Sequence, residues 1–551
     1  MRGRHLNRRL HARVLQLTVG ILVAGSSAAP TSARAEVFDE LLDVLKAKGA
    51  ITQAESDKLK ARYQAELKGG DAKRRATEGK AREAEAKARE AEAKAARAAT
   101  VAATAQVLPT VKGPLPYVTA LPVSQCIGMR VGAVDVCING DISVFGIEQF
   151  PDKNPNAPAI NGGLATASQR NSYATSVGLL PSSIQVSLAT TQMGIDVGAV
   201  FAAFVGGNNV DYGTFGANNG GSPVGLGSPA IDFRKVYGTL GTPTLGTVKF
   251  GRDIGLFASD AILNDQTIFG AGSPDANFRP NNTTLGRIGL GYIYADWIPQ
   301  LTYKSPSYNG FTVAAGLFTP LDEVPFSGDP NSATLTGHDS PQVQGQLKYV
   351  GNIMPDLKLT VSTSGTVQRQ QADCTASIPT FGTSSCIGGA PLVSGAGLSP
   401  GTSVTAWAVD GFARLDYGPV SLVATGYTGR GIGTTGLFFD GVAADGGARK
   451  SDGGYVQASY TFFNRLKLGG SWGVSVLDTA DAQDAAAEFA SCRAAVATCL
   501  VHSNESWILF ANYKLTDWAE LQAEFVQTTA ENQIGQKIKD NAVLAGATLF
   551  W

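Results

Sequence analysis

The chain is poor in the groups most catalysts depend on. Four histidines, four methionines and six cysteines are spread over 551 residues, and only 17% of residues are charged. A formal net charge of −1, with no basic stripe interleaved with aromatics, argues against a nucleic-acid partner. No cysteines stand at the CxxC spacing of a zinc site, and no Walker A sequence is present. The one GxGxxG match, GIGTTG at 431–436, has no helix after it, so no dinucleotide site is read there. A serine hydrolase needs a histidine beside its nucleophile. Beyond the first 35 residues only His338 and His502 remain, both in or beside loops. The composition therefore reads as a non-enzyme without metal or cofactor.

Long apolar runs are also missing, with one exception. VLQLTVGILVAG follows Arg2, Arg4, Arg8, Arg9 and Arg13 and precedes Ala33-Arg34-Ala35. A positive region, a short apolar core and a small-x-small site make residues 1–35 a predicted signal peptide. The run is too short to cross a bilayer, which takes about 20 residues. With no other candidate, a helical membrane protein is excluded.

Two kinds of sequence follow. Residues 36–70 carry a helical apolar face (Val37, Leu41, Leu42, Val44, Leu45), a stop at Gly49, and a capping box, Thr52 with Glu55, opening a second helix. Residues 71–107 are Ala-rich, with the heptad AREAEAK repeated from Ala81. Ala81, Ala84, Ala88, Ala91, Ala95, Ala98 and Ala102 form the seam; Glu85, Glu92, Lys87 and Lys94 fall where a coiled coil pairs charges between chains. Residues 108–125, with Pro109, Pro114 and Pro116, read as a linker.

Beyond the linker the period becomes two. Leu357, Leu359, Val361 and Val367 alternate with Lys358, Thr360, Ser362 and Thr366, so one side is apolar and the other polar. Sixteen candidate strands are predicted: 134–149, 182–192, 193–205, 231–240, 244–252, 297–304, 310–318, 341–350, 355–369, 402–416, 418–430, 452–463, 464–477, 503–514, 517–529 and 539–551. Tight turns alternate strictly with long loops. Lipid offers no partner for backbone N–H and C=O groups, so a sheet crosses it only by closing on itself. The pattern predicts an all-β transmembrane barrel over 126–551, preceded by an α-helical coiled-coil segment.

Several stretches carry a family resemblance. FRKVYGTLGTPTLGTVKFGRDIGLFASDAILND (Phe233 to Asp265) and YKSPSYNGFTVAAGLF resemble consecutive hairpins of the general porins of Gram-negative bacteria. CIGMRVGAVDVCINGDISVFG is similar to the cysteine-flanked first strand of alphaproteobacterial porins. The terminal AVLAGATLFW resembles an outer-membrane assembly signal, with Trp551 where Phe is usual. The N-terminal rod resembles the periplasmic extension of sucrose-type and dicarboxylate-type porins, which are trimers.

The resemblance implies an outer-membrane channel passing small hydrophilic solutes and ions, narrowed by an inward-folded third loop at Asp253 to Asp296. It also implies lipid around the barrel, a homotrimer, and a periplasmic coiled coil able to meet peptidoglycan. A channel biased toward sugars or dicarboxylates is the alternative; an outer-membrane hydrolase or a trimeric adhesin fits less well. The candidate constriction residues are Asp253, Asp260, Asp265 and Asp275 on the loop, with Arg234, Lys249 and Arg252 facing it. Asp410, Arg414, Glu520 and Glu524 join them by alternation, and the resemblance places Arg252 at the constriction although alternation would send it outward. Six cysteines allow fifteen pairings. Short loop closure in an exported chain favours Cys126 with Cys137, Cys374 with Cys386 and Cys492 with Cys499.

Overall fold

A strand with one apolar and one polar side needs two different solvents, and the wall it builds separates them. The computed structural model describes residues 42–44, 46–49, 52–61, 118–120, 126–176, 182–205, 231–270, 272, 286–372, 377–378, 382–383, 386–387, 390–391, 398–399, 401–494 and 499–551. The predicted signal peptide, the 71–107 repeat, Asp275 and the Cys374–Cys386 pairing lie outside these residues. The chain divides by contacts into 1–113 and 114–551.

In the first unit, residues 53–61 are helical and the capping box forms. Thr52 N–H donates to Glu55 Oε2 at 2.9 Å, and Glu55 N–H to Thr52 Oγ1 at 3.3 Å. Gly49, at φ 68°, ends the preceding helical turns with the left-handed residue such a stop favours.

The second unit opens with a hairpin, β1 (Val118–Ala120) and β2 (Ile127–Val131). There follow β3 (Val134–Phe150), the short β4 (Ser172–Ser176), β5 (Ser182–Gln192), β6 (Ile195–Val205), β7 (Ile231–Thr242) and β8 (Gly246–Ile254). Next come β9 (Trp297–Lys304), β10 (Phe311–Phe318), β11 (Gln342–Met354) and β12 (Leu357–Gln371). Four two-residue strands occupy a loop: β13 (Ser377–Ile378), β14 (Gly382–Thr383), β15 (Cys386–Ile387) and β16 (Ala390–Pro391). The wall resumes with β17 (Ser403–Tyr417), β18 (Val420–Arg430), β19 (Lys450–Phe462), β20 (Leu466–Asp478), β21 (Val501–Lys514), β22 (Ala519–Asn532) and β23 (Lys537–Phe550). One sheet holds nineteen strands. Setting aside β1, β2 and β4, sixteen antiparallel strands form a ring, closed where β23 pairs with β3.

Closure leaves the outer face apolar. Val144, Leu188, Phe201, Phe250, Leu301, Leu347, Val409, Leu509, Phe525 and Val543 are all exposed on it. Aromatic side chains band both ends of that face: Tyr303, Tyr417, Tyr460, Tyr513 and Trp518 toward the short turns, Tyr173, Phe233, Trp407 and Trp507 toward the long loops. Such girdles are the mark of a barrel whose outer solvent is lipid. The short turns follow local chemistry. Met193 and Gly194 (φ 52° and 77°) form a two-residue link, and Phe463 and Asn464 (52° and 56°) lead the three-residue link 463–465; in both, the paired positive φ values match strand twist.

Two features depart from the sequence reading. Val118–Ala120, inside the segment read as a linker, pairs with β2, which in turn pairs with β3 through Ile127↔Ile138 to Val131↔Val134. The Cys126–Cys137 disulfide clamps the start of β2 to β3. In addition, the 479–500 loop holds a helix over Ala482–Cys492 that the strand count does not anticipate, and Cys492–Cys499 closes the stretch after it.

Candidate pore constriction

The inner rows are polar. On β12, Ser362, Ser364, Thr366, Gln368 and Gln370 are all buried and face inward, and Gln342 and Gln344 do the same on β11. Into this lumen folds the third long loop, residues 255–296, of which 255–270, 272 and 286–296 are described. It holds a five-residue helix, α1 (Ser259–Leu263), and a 3-10 turn at Gln266–Phe269.

Polar wall side chains hold the loop at many points. Phe257 N–H donates to Gln344 Oε1 at 3.0 Å and Ala258 N–H to Ser364 Oγ at 3.3 Å. Asp260 accepts from Lys348 Nζ, from Gln346 Nε2 at 3.2 Å and from Ser362 Oγ at 2.6 Å. Arg414 Nη1 reaches Asn264 Oδ1 at 2.9 Å, Tyr455 O–H donates to Ala261 O at 2.8 Å, and Lys467 Nζ to Gln266 Oε1 at 2.7 Å. Farther along, Arg287 donates to Ser471 Oγ and, through Nη1, to Ser506 Oγ at 3.0 Å. Gly291 N–H donates to Ser475 Oγ at 3.0 Å, and Gly272 N–H to Glu524 Oε2 at 3.2 Å. These partners sit on β11, β12, β17, β19, β20, β21 and β22. The loop therefore follows the inside of the wall over half its circumference. Leu263, 66% exposed, is the open side of α1.

Opposite lies an arc formed by β3 and β5 to β8. Its inward groups include Asp141, hydrogen-bonded to Ser183, and Lys235, whose Nζ donates to Gln185 Oε1 at 3.1 Å. Lys249 pairs with Asp253 and stands 5.0 Å from the Tyr237 ring. A bulge in β7 sets this arc apart. Ala202 faces Lys235 and Ala203 faces Phe233, so Arg234 is an extra residue between them. Two consecutive cations thereby leave the lipid face, where Phe233 and Val236 remain exposed. Arg234 is 1% exposed, donates to Asp232 Oδ2 at 2.9 Å and lies 5.0 Å from the Phe204 ring.

The sequence-derived residues thus divide by role. Lys249, Asp253, Arg414 and Glu520 lie on inner rows and Asp260 on α1 facing them; Arg414 pairs with Asp416 at 2.9 Å and Glu520 accepts from Asn512 Nδ2 at 2.6 Å. Asp265 is a fold-forming residue: it caps the 3-10 turn through Thr267 N–H and accepts from Arg287 N–H and Tyr292 O–H at 2.8 Å. Asp410 accepts from Ser364 N–H at 2.7 Å and is buried, and Glu524 is covered by the loop at Gly270. Arg252 follows the register of the outward row, opposite Val236 and Pro299, while its Nε and Nη2 are buried without a partner among the described residues. Lys235, Lys348, Lys467 and Asp141 are not among the sequence candidates, although each lies on an inward row. His338 pairs with Asp322 at 2.9 Å and His502 faces Leu477 O at 3.3 Å.

Burial tunes the loop's own ionisable groups. Desolvation draws the Arg287 guanidinium down to about 10, against the pull of Asp265. The Asp296 carboxyl is pushed up to about 6 by burial, although Trp297 N–H, Arg252 and Arg234 favour its charged form. Tyr292 is raised well above the ordinary phenol range by burial and by Asp265.

A closed sixteen-strand wall with lipid outside, polar rows inside and a loop laid along the lumen is the fold of the outer-membrane porins. No family model and no curated protein sequence matches the chain. Among solved structures, the outer membrane channel DcaP of Acinetobacter baumannii matches with a TM-score of 0.51 and 12% identity, over 76% of this chain and 98% of that one. Salmonella typhi OmpF in complex with daunomycin matches at 0.44 and 10%, over 76% and 98%. Pseudomonas putida OprB matches at 0.42 and 11%, over 75% and 94%. At 12% identity the likeness to DcaP is one of fold.

Proposed function

We propose that the chain is a channel of a Gram-negative outer membrane, passing small hydrophilic solutes and ions by passive diffusion through an eyelet between the third loop and the β3–β8 arc. The observation that carries this reading is the anchoring of that loop to inward side chains of seven strands, with a charged arc left opposite. Three inner cations stand beside an acid: Lys249 with Asp253, Lys348 with Asp260, Arg414 with Asp416. A lumen of paired charges sustains a transverse field but no large excess of one sign, which favours a general pore over an anion- or sugar-selective one.

Three barrels joined as a trimer, with the N-terminal segment in the periplasm reaching toward peptidoglycan, complete the proposal. Incorporation into planar bilayers tests it. Stepwise conductance in threefold units with weak ion preference is expected; absence of conductance from correctly folded barrels overturns the channel reading. Deleting Val37 to Val107 tests the segment's part, and trimers of unchanged stability would remove it as their organiser.

A further inference from the structure

One buried cation ties three long loops together. Arg449, at the end of the 431–449 loop, is 0% exposed. Its Nε donates to Asp484 Oδ2 at 2.9 Å, and its Nη2 to Asp484 Oδ1 at 2.8 Å and Glu488 Oε1 at 2.9 Å. Both acids belong to α2 (Ala482–Cys492) in the 479–500 loop, one turn apart on one face, with Cys492 a further turn along. Nη1 donates to Ser332 Oγ at 2.7 Å, and Asp329 Oδ2 lies 3.5 Å from the guanidinium, both from the 319–341 loop.

Backbone bonds join two of these loops, and a side-chain bond adds the third. Ala333 N–H donates to Val442 O at 2.8 Å, Asp440 N–H to Val324 O at 3.0 Å, and Asn331 Nδ2 to Ser491 Oγ at 2.9 Å. The Phe326 and Phe439 rings stack at 4.4 Å.

The charges in this knot do not balance. Asp329, Asp484 and Glu488 surround one guanidinium, and two further buried acids stand close by. Asp440 accepts from Ser327, and Glu323 from Gly441 and Val442 N–H. No Lys and no second Arg contacts these acids among the described residues, and no metal-holding cluster occurs among them. Three carboxyl oxygens, Glu323 Oε2, Asp329 Oδ1 and Glu488 Oε2, are buried without a donor. Five ionised carboxylates around one cation in a dry site are too costly to persist. Protons must make up the difference, and a carboxyl O–H supplies the missing donor.

We propose that the Arg449 knot is a proton-held strap across the three loops, with Glu488 sharing its proton with Asp329, so that the loops are lashed together in neutral and acidic media and released in alkaline ones. The direction follows from linkage. Burial, then Asp329, pushes Glu488 up to about 8, and burial pushes Asp440 up to about 6 and Glu323 well above its usual range. The lashed state therefore holds protons that the released state, with ordinary carboxyls near 4 to 5, gives up. It is fully favoured below about pH 4 and loses ground until the pH has passed about 8.

Hydrogen exchange of the full-length protein in detergent, corrected for intrinsic rate, reads the strap whether or not the barrel conducts. Amides at 323–333, 438–449 and 482–492 are expected to lose protection on going from pH 6 to 9, by up to about tenfold per pH unit for one linked proton. Wall-strand amides serve as the unchanged reference. Glu488→Gln keeps the Oε1 acceptor and gives Asp329 a permanent donor, so it is expected to flatten the profile while the barrel keeps its heat-modifiable gel mobility. Asp329→Asn is the second variant and is expected to act likewise. Protection that does not change with pH in the parent protein, or an undiminished slope in both variants, overturns the proposal.

Discussion

Arg287 Nη1 donates to Ser506 Oγ at 3.0 Å, joining positions 219 residues apart and pinning the third loop to the wall farthest from its own roots. The same guanidinium reaches Ser471 and Leu290 O, so one side chain fixes both the loop's course and its distance from the opposite arc. If that distance sets the eyelet, loosening the pin has a direct electrical readout.

Arg287→Met is expected to raise single-channel conductance and its open-state noise. Two serine hydroxyls and a carbonyl lose their donor, each worth about 1–3 kcal/mol when left buried and unsatisfied. Bilayer recordings and urea titration in micelles check both parts. Unchanged conductance and noise would detach Arg287 from the eyelet.

Lys348→Met leaves Asp260 with only neutral donors, Gln346 and Ser362. The lumen gains one unbalanced negative charge, so reversal potentials in a salt gradient are expected to move toward cation preference. Asp260→Asn is expected to move them the other way. The shift is to shrink at high salt, where the Debye length falls to about 3 Å at 1 M.

Asp296 combines a buried carboxyl with a left-handed backbone, φ 55°. Asn tolerates that conformation and carries no charge. The raised pKa works as follows: an acid at about 6 in the folded chain and about 4 in the unfolded one costs stability above pH 4, increasingly so up to about pH 6. Asp296→Asn is expected to stabilise the barrel at pH 8, by on the order of 2 kcal/mol, and to be neutral near pH 3.5. Urea midpoints at the two pH values give the comparison.

Reducing Cys126–Cys137 opens a closure of 11 residues, for which about 3 kcal/mol is typical. The cost falls on the pairing of β2 with β3, and β2 lies outside the sixteen-strand ring. Heat-modifiable gel mobility is expected to survive reductant, while protease cleavage near 118–131 increases.

Much of the wall was legible in the sequence because lipid enforces a period of two. Strands 182–192 and 297–304 coincide with the structure to the residue, and most others fall within a few residues. The same alternation could have found Lys348 and Lys467, which lie on the inward rows of Gln346 and Ser471. Loop contacts have no period. Nothing local in the sequence around Arg449 points to Asp329 or Asp484, which are brought to it by loops far apart in the chain. Asp265 is a candidate by its charge, but its neighbours use its carboxylate to shape the loop. Arg234, a candidate for its place on the hairpin, turns from the lipid face through the bulge in β7, which strict alternation does not anticipate.

One edge of β3 serves both ends of the barrel-forming chain. From Asp141 upward it pairs with β23, and from Ile138 downward with β2. Trp551 exchanges backbone hydrogen bonds with Gly140 at 3.0 and 3.1 Å, and Asn139 alone separates that pairing from the hairpin's. Any affinity tag or fluorescent fusion appended after Trp551 must therefore peel away at once or displace the hairpin. Labels belong in the long loops instead.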